Sequence, residues 1–515
     1  MTIQKTNYTN YCDLNMRKIT YMVSALCILL ASSQVSAQNL ELFEQNVTEH
    51  TLDNGLKVIV VKRDVAPVAT FMTYVNVGGV DEPKGRTGIA HIFEHMAFKG
   101  SSRIGTNNWE AEKVILEEVD ATYSKWLREV RSPDPDQNLV DSLLARFNEL
   151  EAEAKTYVKS NEFSQIIESA GGVGLNAGTS TDYTVYFYSL PQNKAELWFS
   201  LEAERFKDPV LREFYVEKDV VFEERRMRTD SSPIGRLLEE FMAVAYTALP
   251  YRDALVGWPS DIEATTMADA IDFYEKYYVP SNMTIVIVGD VNPTQMIQFA
   301  ESYFGDIPQG EPAPPMYVEE PPQRGERRFV IDDPSQPLFI MGYKGVGANH
   351  PDALLIDLLA GVLFEGRSSR MQKVLVDEKK LALGMQGLSG FPGSKHTSLF
   401  LTFAIPNQDV AIDTLESAIN AELEKVKTDG ITQEELDRVI TSRRATLLRQ
   451  LGNNSGIATL LSTAQGMQGD WRKVFTDIQK MQDVTVEDIN RVANQYMNNN
   501  QRTVGIVRNN SADAN

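Results

Sequence analysis

Two of the chain's five histidines, His91 and His95, stand four residues apart, with Glu94 directly before the second, in the stretch GRTGIAHIFEHMAFKG (85–100). On an α-helix this spacing puts both imidazoles on one face, one turn apart, so that both can reach a single ion. Glu94, three residues after His91, lies beside them, within reach of a water at such an ion. The order inverts HExxH but supplies the same parts: two nitrogen ligands and a carboxylate base. A catalytic zinc takes a third protein ligand and keeps a fourth position open for water. One histidine on an amphipathic helix would mean little. A pair at ligand spacing, with a glutamate in the base position, points to a metal site.

The third ligand is expected to be an acid on another helix. The segment FYVEKDVVFEERRMRTD (214–230) offers Glu217, Glu223 and Glu224. Glu217 and Glu224 are seven residues apart, nearly two turns, and share a face, whereas Glu223 points elsewhere. Spacing alone leaves the choice of ligand open.

Four stretches extend the pattern: HTLDNGLKVIVV, GGVDEPKGRTGIAHIFEHMAFKG, NAGTSTDYTVYFYSLP and EKDVVFEERRM. Together they resemble the pitrilysin/insulinase family, the inverzincin (HxxEH) zinc metallopeptidases, and in particular its processing-peptidase-like branch of short bacterial chains. The resemblance covers nearly the whole mature chain. It implies that His91, His95 and Glu224 bind one zinc ion, that Glu94 is the general base, and that Glu217 is a supporting acid behind the site. It also implies that Asn176-Ala177 belongs to an edge strand on which a peptide substrate adds as an extra strand. By its residues alone, GLNAGTST reads as a turn leading into a strand.

The chain departs from the family pattern in two ways. His95 and Glu224 are 129 residues apart (224 − 95), more than the family usually shows. The excess is about the size of residues 108–168, two charged amphipathic segments around a SPDPD break, which read as an inserted helical hairpin. The segment QKVLVDEKKLALGMQG (372–387) carries Val376 and Leu383 where the family has a substrate-holding arginine and tyrosine. Neither side chain can donate a hydrogen bond. The resemblance therefore implies a heterodimer with a homologous subunit that carries the missing pair, a homodimer being the alternative; a non-catalytic, peptide-binding subunit is the alternative function.

The elements that must position these residues are read as α+β layers. GLKVIVVKR and PVATFMTYVNVGG read as a hairpin, helices follow, and GTSTDYTVYFYSL reads as a further strand. The segments at 266–290 and 485–509 align without a gap at an offset of 219 residues (485 − 266), each a capped helix followed by a β-branched strand. Two copies that far apart indicate two homologous domains. Residues 38–306 are expected to form the catalytic domain and 325–515 its partner. The proline-rich linker 307–324 joins them, semi-rigid and extended. The second copy's counterpart of the histidine helix, ALLIDLLAGVLFEG (353–366), has no histidine, so only the first half is built for metal.

Composition bounds the rest. The net charge of −21 and pI near 4.8 argue against a nucleic-acid-binding surface. Residues 1–37 read as an export signal. Arg17-Lys18 precede an apolar run too short to span a membrane comfortably, and Val35-Ser36-Ala37 precede the cleavage point, with Met16 as an alternative start to Met1. Both cysteines, Cys12 and Cys27, fall in that segment, which leaves a mature chain without thiols. The expected location is the bacterial periplasm, with no membrane span after signal removal.

Overall fold

The computed structural model describes residues 43–509; the stretch 1–37, read from its sequence as an export signal, and both cysteines lie outside the described residues. Two mixed sheets, each layered with helices, make up two homologous domains. The first sheet holds β1 (Val47–Thr51), β2 (Lys57–Lys62), β3 (Val68–Val75), β4 (Val173–Thr179), β5 (Thr184–Pro191) and β6 (Met283–Gly289), in the order β1-β2-β6-β3-β5-β4. The second holds β7 (Arg327–Asp332), β8 (Leu338–Lys344), β9 (Ala382–Phe391), β10 (Leu399–Pro406) and β11 (Arg502–Arg508), in the order β7-β11-β8-β10-β9. With β1 set aside the two orders are the same. Each sheet has one parallel pair, β2 with β6 and β7 with β11, and its other pairs are antiparallel.

This order corrects the expected hairpin of β2 with β3. The last strand of the first domain, β6, lies between them, parallel to β2 and antiparallel to β3. All seven residues of MTIVIVG in β6 are buried, which requires a central place covered on both faces. A short connection between two strands cannot reveal that a third, more than two hundred residues away, will part them.

The repeat at an offset of 219 is visible as structure. Helix Met267–Tyr277 leads into β6, and helix Val486–Tyr496 leads into β11. Each helix starts with a capping box, Thr266 with Asp269 and Thr485 with Asp488, which satisfies backbone donors that the first turn leaves open.

Each half also covers the other's sheet. Helix Asn454–Gln468, from the second half, lies on β3 and β6, where Ile457, Ala458 and Leu461 pack with Val61, Met72 and Val286. Helix Pro233–Ala245, from the first half, lies on β8 and β11, where Leu237 and Phe241 pack with Ile340 and Val507. Gly466 touches the ring of Tyr74 so closely that a Cβ there would collide with it. Residues 308–324 form neither helix nor strand, yet they are tethered: the Glu320 carboxylate accepts the N–H groups of Thr247, Ala248 and Leu249 at 2.9–3.1 Å. Among the described residues, no helix is long and apolar enough to cross a membrane.

The stretch 108–168 forms a helical hairpin, Trp109–Val130 and Gln137–Lys155, followed by the short helix Glu162–Ser169. It is stapled along the helix Phe214–Arg225 and the residues just before it. Arg212, 1% exposed, meets the fully buried Glu112 at 2.9 Å and also donates to the carbonyls of Lys99, Ser101 and Ile104. Tyr215 donates to Asp120 at 2.5 Å. The buried Lys218 ammonium donates to Tyr123 Oη at 3.1 Å and to the carbonyls of Glu263 and Thr265. Removing one member of a buried ion pair strands the other. Glu112→Ala is therefore expected to cost about 3–5 kcal/mol of folding stability. Urea unfolding followed by tryptophan fluorescence checks this, because Trp109, Trp126, Trp198 and Trp258 all lie in the first half.

Candidate metal centre

The histidine pair sits on the eight-residue helix Ile89–Met96, whose Ile89, Ala90, Ile92, Phe93 and Met96 are buried in the first domain's core. Such a short helix cannot hold its own orientation, since isolated helices of this length are unstable in water. Its start is pinned by Glu82, which accepts the N–H groups of Gly88 and Ala90 at 2.9 Å each. Burial pushes the Glu82 carboxyl up to about 8 against the pull of these two bonds. Gly88 has a φ of 90° and lies against the backbone of Val256 and Gly257, so a side chain there would be strained and would clash.

The helix Phe214–Arg225 brings the acids. Glu224 Oε2 lies 3.5 Å from His91 Nε2 and 3.8 Å from His95 Nε2, and one ligand atom from each of the three residues falls within 4.8 Å of the others. Donors about 2.0–2.1 Å from a tetrahedral ion stand roughly 3.4 Å apart, so the set has the dimensions of a zinc site. Burial lowers the His91 pKa, which favours the neutral, ligating form. Its Nδ1 is buried with no hydrogen-bond partner among the described residues. The other oxygen of Glu224 is held by Arg228 at 2.6 Å. Two imidazole nitrogens and a carboxylate oxygen at these separations are a donor set that suits a divalent ion.

Glu217 occupies a different place. Its Oε2 is 3.1 Å from His95 Nδ1, on the side of the ring away from Glu224. This bond raises the His95 pKa. Burial would raise the Glu217 carboxyl, but the bonds from His95 and Lys99 win and hold it below the usual carboxylate range. Glu223 is exposed and pairs with Arg226 at 2.9 Å, away from the histidines. Glu94 is half-buried and lines a cavity of about 320 Å³ together with His95, Asn176 and Ala177. Asn176 and Ala177 lie on β4, which among the described residues pairs only with β5 and so is an edge strand, with the Ala177 N–H donating to Asn176 Oδ1 at 3.0 Å. Val376 and Leu383 are not part of this cluster: Val376 lies in the helical turn Gln372–Glu378 and Leu383 is exposed on β9.

Sequence reasoning missed two residues of the site. Lys99 Nζ donates to Glu217 Oε1 at 2.7 Å and to Glu213 Oε2 at 2.9 Å, which ties the histidine helix to the acid helix. Glu213 holds a left-handed φ of 58°, unusual for glutamate, at the start of the acid helix. The signal was present in the spacing, since Lys99 is four residues after His95 and Glu213 four before Glu217.

Comparison with known proteins places the chain in a family. The family described as Insulinase (Peptidase family M16) matches residues 57–129 and 147–257, with its interruption inside the helical hairpin, and the Peptidase M16 inactive domain matches residues 264–443. Zinc protease PqqE of Helicobacter pylori is 30% identical over 506 residues, covering 96% of this chain and 99% of that protein. A protein of Mycobacterium leprae described as an uncharacterized zinc protease is 23% identical over 462 residues, covering 88% and 89%. Among solved structures, a protease from Helicobacter pylori aligns with a TM-score of 0.75 at 30% identity, covering 90% of this chain and 99% of that one. A peptidase M16 inactive domain from Pseudomonas fluorescens aligns with a TM-score of 0.70 at 18% identity, over 90% and 98%, a likeness of fold. With two homologous domains, matches across both and a full-length relative at 30% identity, the chain belongs to the pitrilysin/insulinase family, peptidase family M16.

Proposed function

We propose that this chain is a zinc-dependent endopeptidase that hydrolyses peptides or unfolded protein segments, with Glu94 as general base. The observation that carries the reading is the convergence of His91 and His95 from one helix with Glu224 from another, within 4.8 Å, while Glu94, on the helix of the two histidines, stands in the wall of a cavity. These three residues would hold the ion. When bound there, zinc supplies Lewis-acid chemistry, making hydroxide available near pH ~7 and stabilising negative charge on a carbonyl oxygen.

The chain's own residues do the remaining work. Glu94 accepts a proton from the attacking water on a carboxylate oxygen as the water adds to the peptide carbonyl. It then gives the proton to the leaving amine nitrogen as the C–N bond breaks. Glu217 fixes the ring of His95 through Nδ1, as an outer partner of a metal-ligating histidine does. The free edge of β4 supports binding of the substrate as an added strand, through backbone hydrogen bonds at Asn176 and Ala177.

The direct test is cleavage of an unstructured peptide by zinc-loaded protein. Glu94→Gln is expected to keep its zinc and to lose at least ~10²-fold in turnover, as follows from removing a general base. Turnover near wild type in that variant would take Glu94 out of the role. A wild type that binds zinc and peptide but cleaves nothing would favour the non-catalytic reading.

The reading extends to a partner. Family members enclose substrate with four homologous domains, and this chain supplies two. Neither Val376 nor Leu383 offers a side-chain donor, so a homodimer would lack the arginine and tyrosine in both copies. We therefore propose a heterodimer with a homologous subunit that carries that pair. Co-expression with homologues from the same source is expected to raise both the solution mass and the rate of peptide cleavage. Full activity of the lone chain, unchanged by any such homologue, would contradict this.

A further inference from the structure

We infer that Lys159 makes the cavity beside Glu94 a subsite for an acidic side chain of the substrate, so that the chain favours peptides with aspartate or glutamate next to the bond being cut. The inference rests on the peptidase reading above and adds a substrate class to it.

The cavity that Glu94, His95 and the β4 edge share is also lined by the segment that follows the helical hairpin, Val158 to Glu162. That wall is fixed. Lys159 N–H donates to the Gly105 carbonyl at 3.0 Å, Val158 bridges to Thr106, and the chain turns at Asn161, with a φ of 60°, into the helix Glu162–Ser169. A side chain entering beside Glu94 therefore meets this segment in a set position.

Three cations line the cavity, and two of them are committed to the protein. Lys99 bonds two carboxylates at 2.7 and 2.9 Å, and Arg212 is buried against Glu112 and three carbonyls. Lys159 differs. Its side chain pairs with Glu162 at 3.4 Å, with the two side chains 46% and 28% exposed. Glu162 does not depend on that contact, because its other oxygen accepts the Gly105 N–H at 2.6 Å. An ammonium has three donors, so Lys159 retains donors for an incoming carboxylate.

The lining carboxylates do not cancel this. Glu213 and Glu217 share the Lys99 ammonium, Glu217 also bonds the His95 ring through Nδ1, and Glu162 accepts a backbone amide. Glu94 is left as the acid for proton transfer. The cavity thus offers one under-used positive group to a substrate side chain, at a site exposed enough to admit it.

The test is to digest a peptide library with the zinc-loaded full chain, with its partner subunit if activity needs one, and to read residue frequencies around each cut. The wild type is expected to enrich aspartate and glutamate over asparagine and glutamine at one flanking position, by about threefold to tenfold for a partly exposed charge pair. Lys159→Met should remove that enrichment and Lys159→Glu should move it to lysine and arginine, both at unchanged melting temperature. A wild-type profile without acidic enrichment, or a Lys159→Glu profile the same as wild type, overturns the inference and leaves the peptidase reading standing. A wild type that cuts no peptide overturns the peptidase reading itself, and this inference with it.

Discussion

The arrangement turns on one physical demand: two imidazoles from an eight-residue helix must meet a carboxylate that arrives 129 residues later, with errors well under the diameter of an ion (224 − 95). Neither helix can meet that demand alone. Glu82 fixes where the histidine helix begins, Glu217 fixes how His95 is turned, and Lys99 joins Glu217 to Glu213 across the gap. The result is a polar lattice behind the three donors in which each charged group has a protein partner. That leaves the cavity side of His95, which Glu94 also lines, as the open face of the cluster.

The second domain shows what the same frame becomes without the demand. Its sheet repeats the strand order, and its helix Ala353–Phe364 follows the second strand as the histidine helix follows β3. That helix is apolar around most of its surface, with Ile356, Leu358, Leu359, Val362 and Leu363 buried. It has given up polar donors for core packing, and the domain contributes structure. Each half lends a helix to the other's sheet, so the central strands β3 and β6 of the first and β8 and β11 of the second are buried on two faces, and neither half would be well covered alone. The half that carries the histidine pair depends on its copy.

Most of the centre was legible because ligand chemistry is local: a histidine pair at i and i+4, and two acids seven apart on one helix face. Glu217 and Glu224 shared a face as expected, but only the resemblance separated their roles, since spacing cannot tell a ligand from the residue that orients one. The capped helix and strand of the repeat were legible because capping boxes and β-branched runs are written in consecutive residues. The hairpin of β2 with β3 was misread because strand order is set by long-range packing, here by the wholly apolar β6 claiming the middle of the sheet. The exchanged helices were missed for the same reason: each packs on strands far away in the chain.

The central claim is that Glu224, and not a neighbouring acid, completes a zinc site with His91 and His95. Zinc content after dialysis, measured on the wild type, Glu224→Gln and Glu223→Gln side by side, tests it most directly. One zinc per chain in the wild type and in Glu223→Gln, with most of it lost from Glu224→Gln, is the predicted result. Zinc retained by Glu224→Gln and lost from Glu223→Gln would contradict the account.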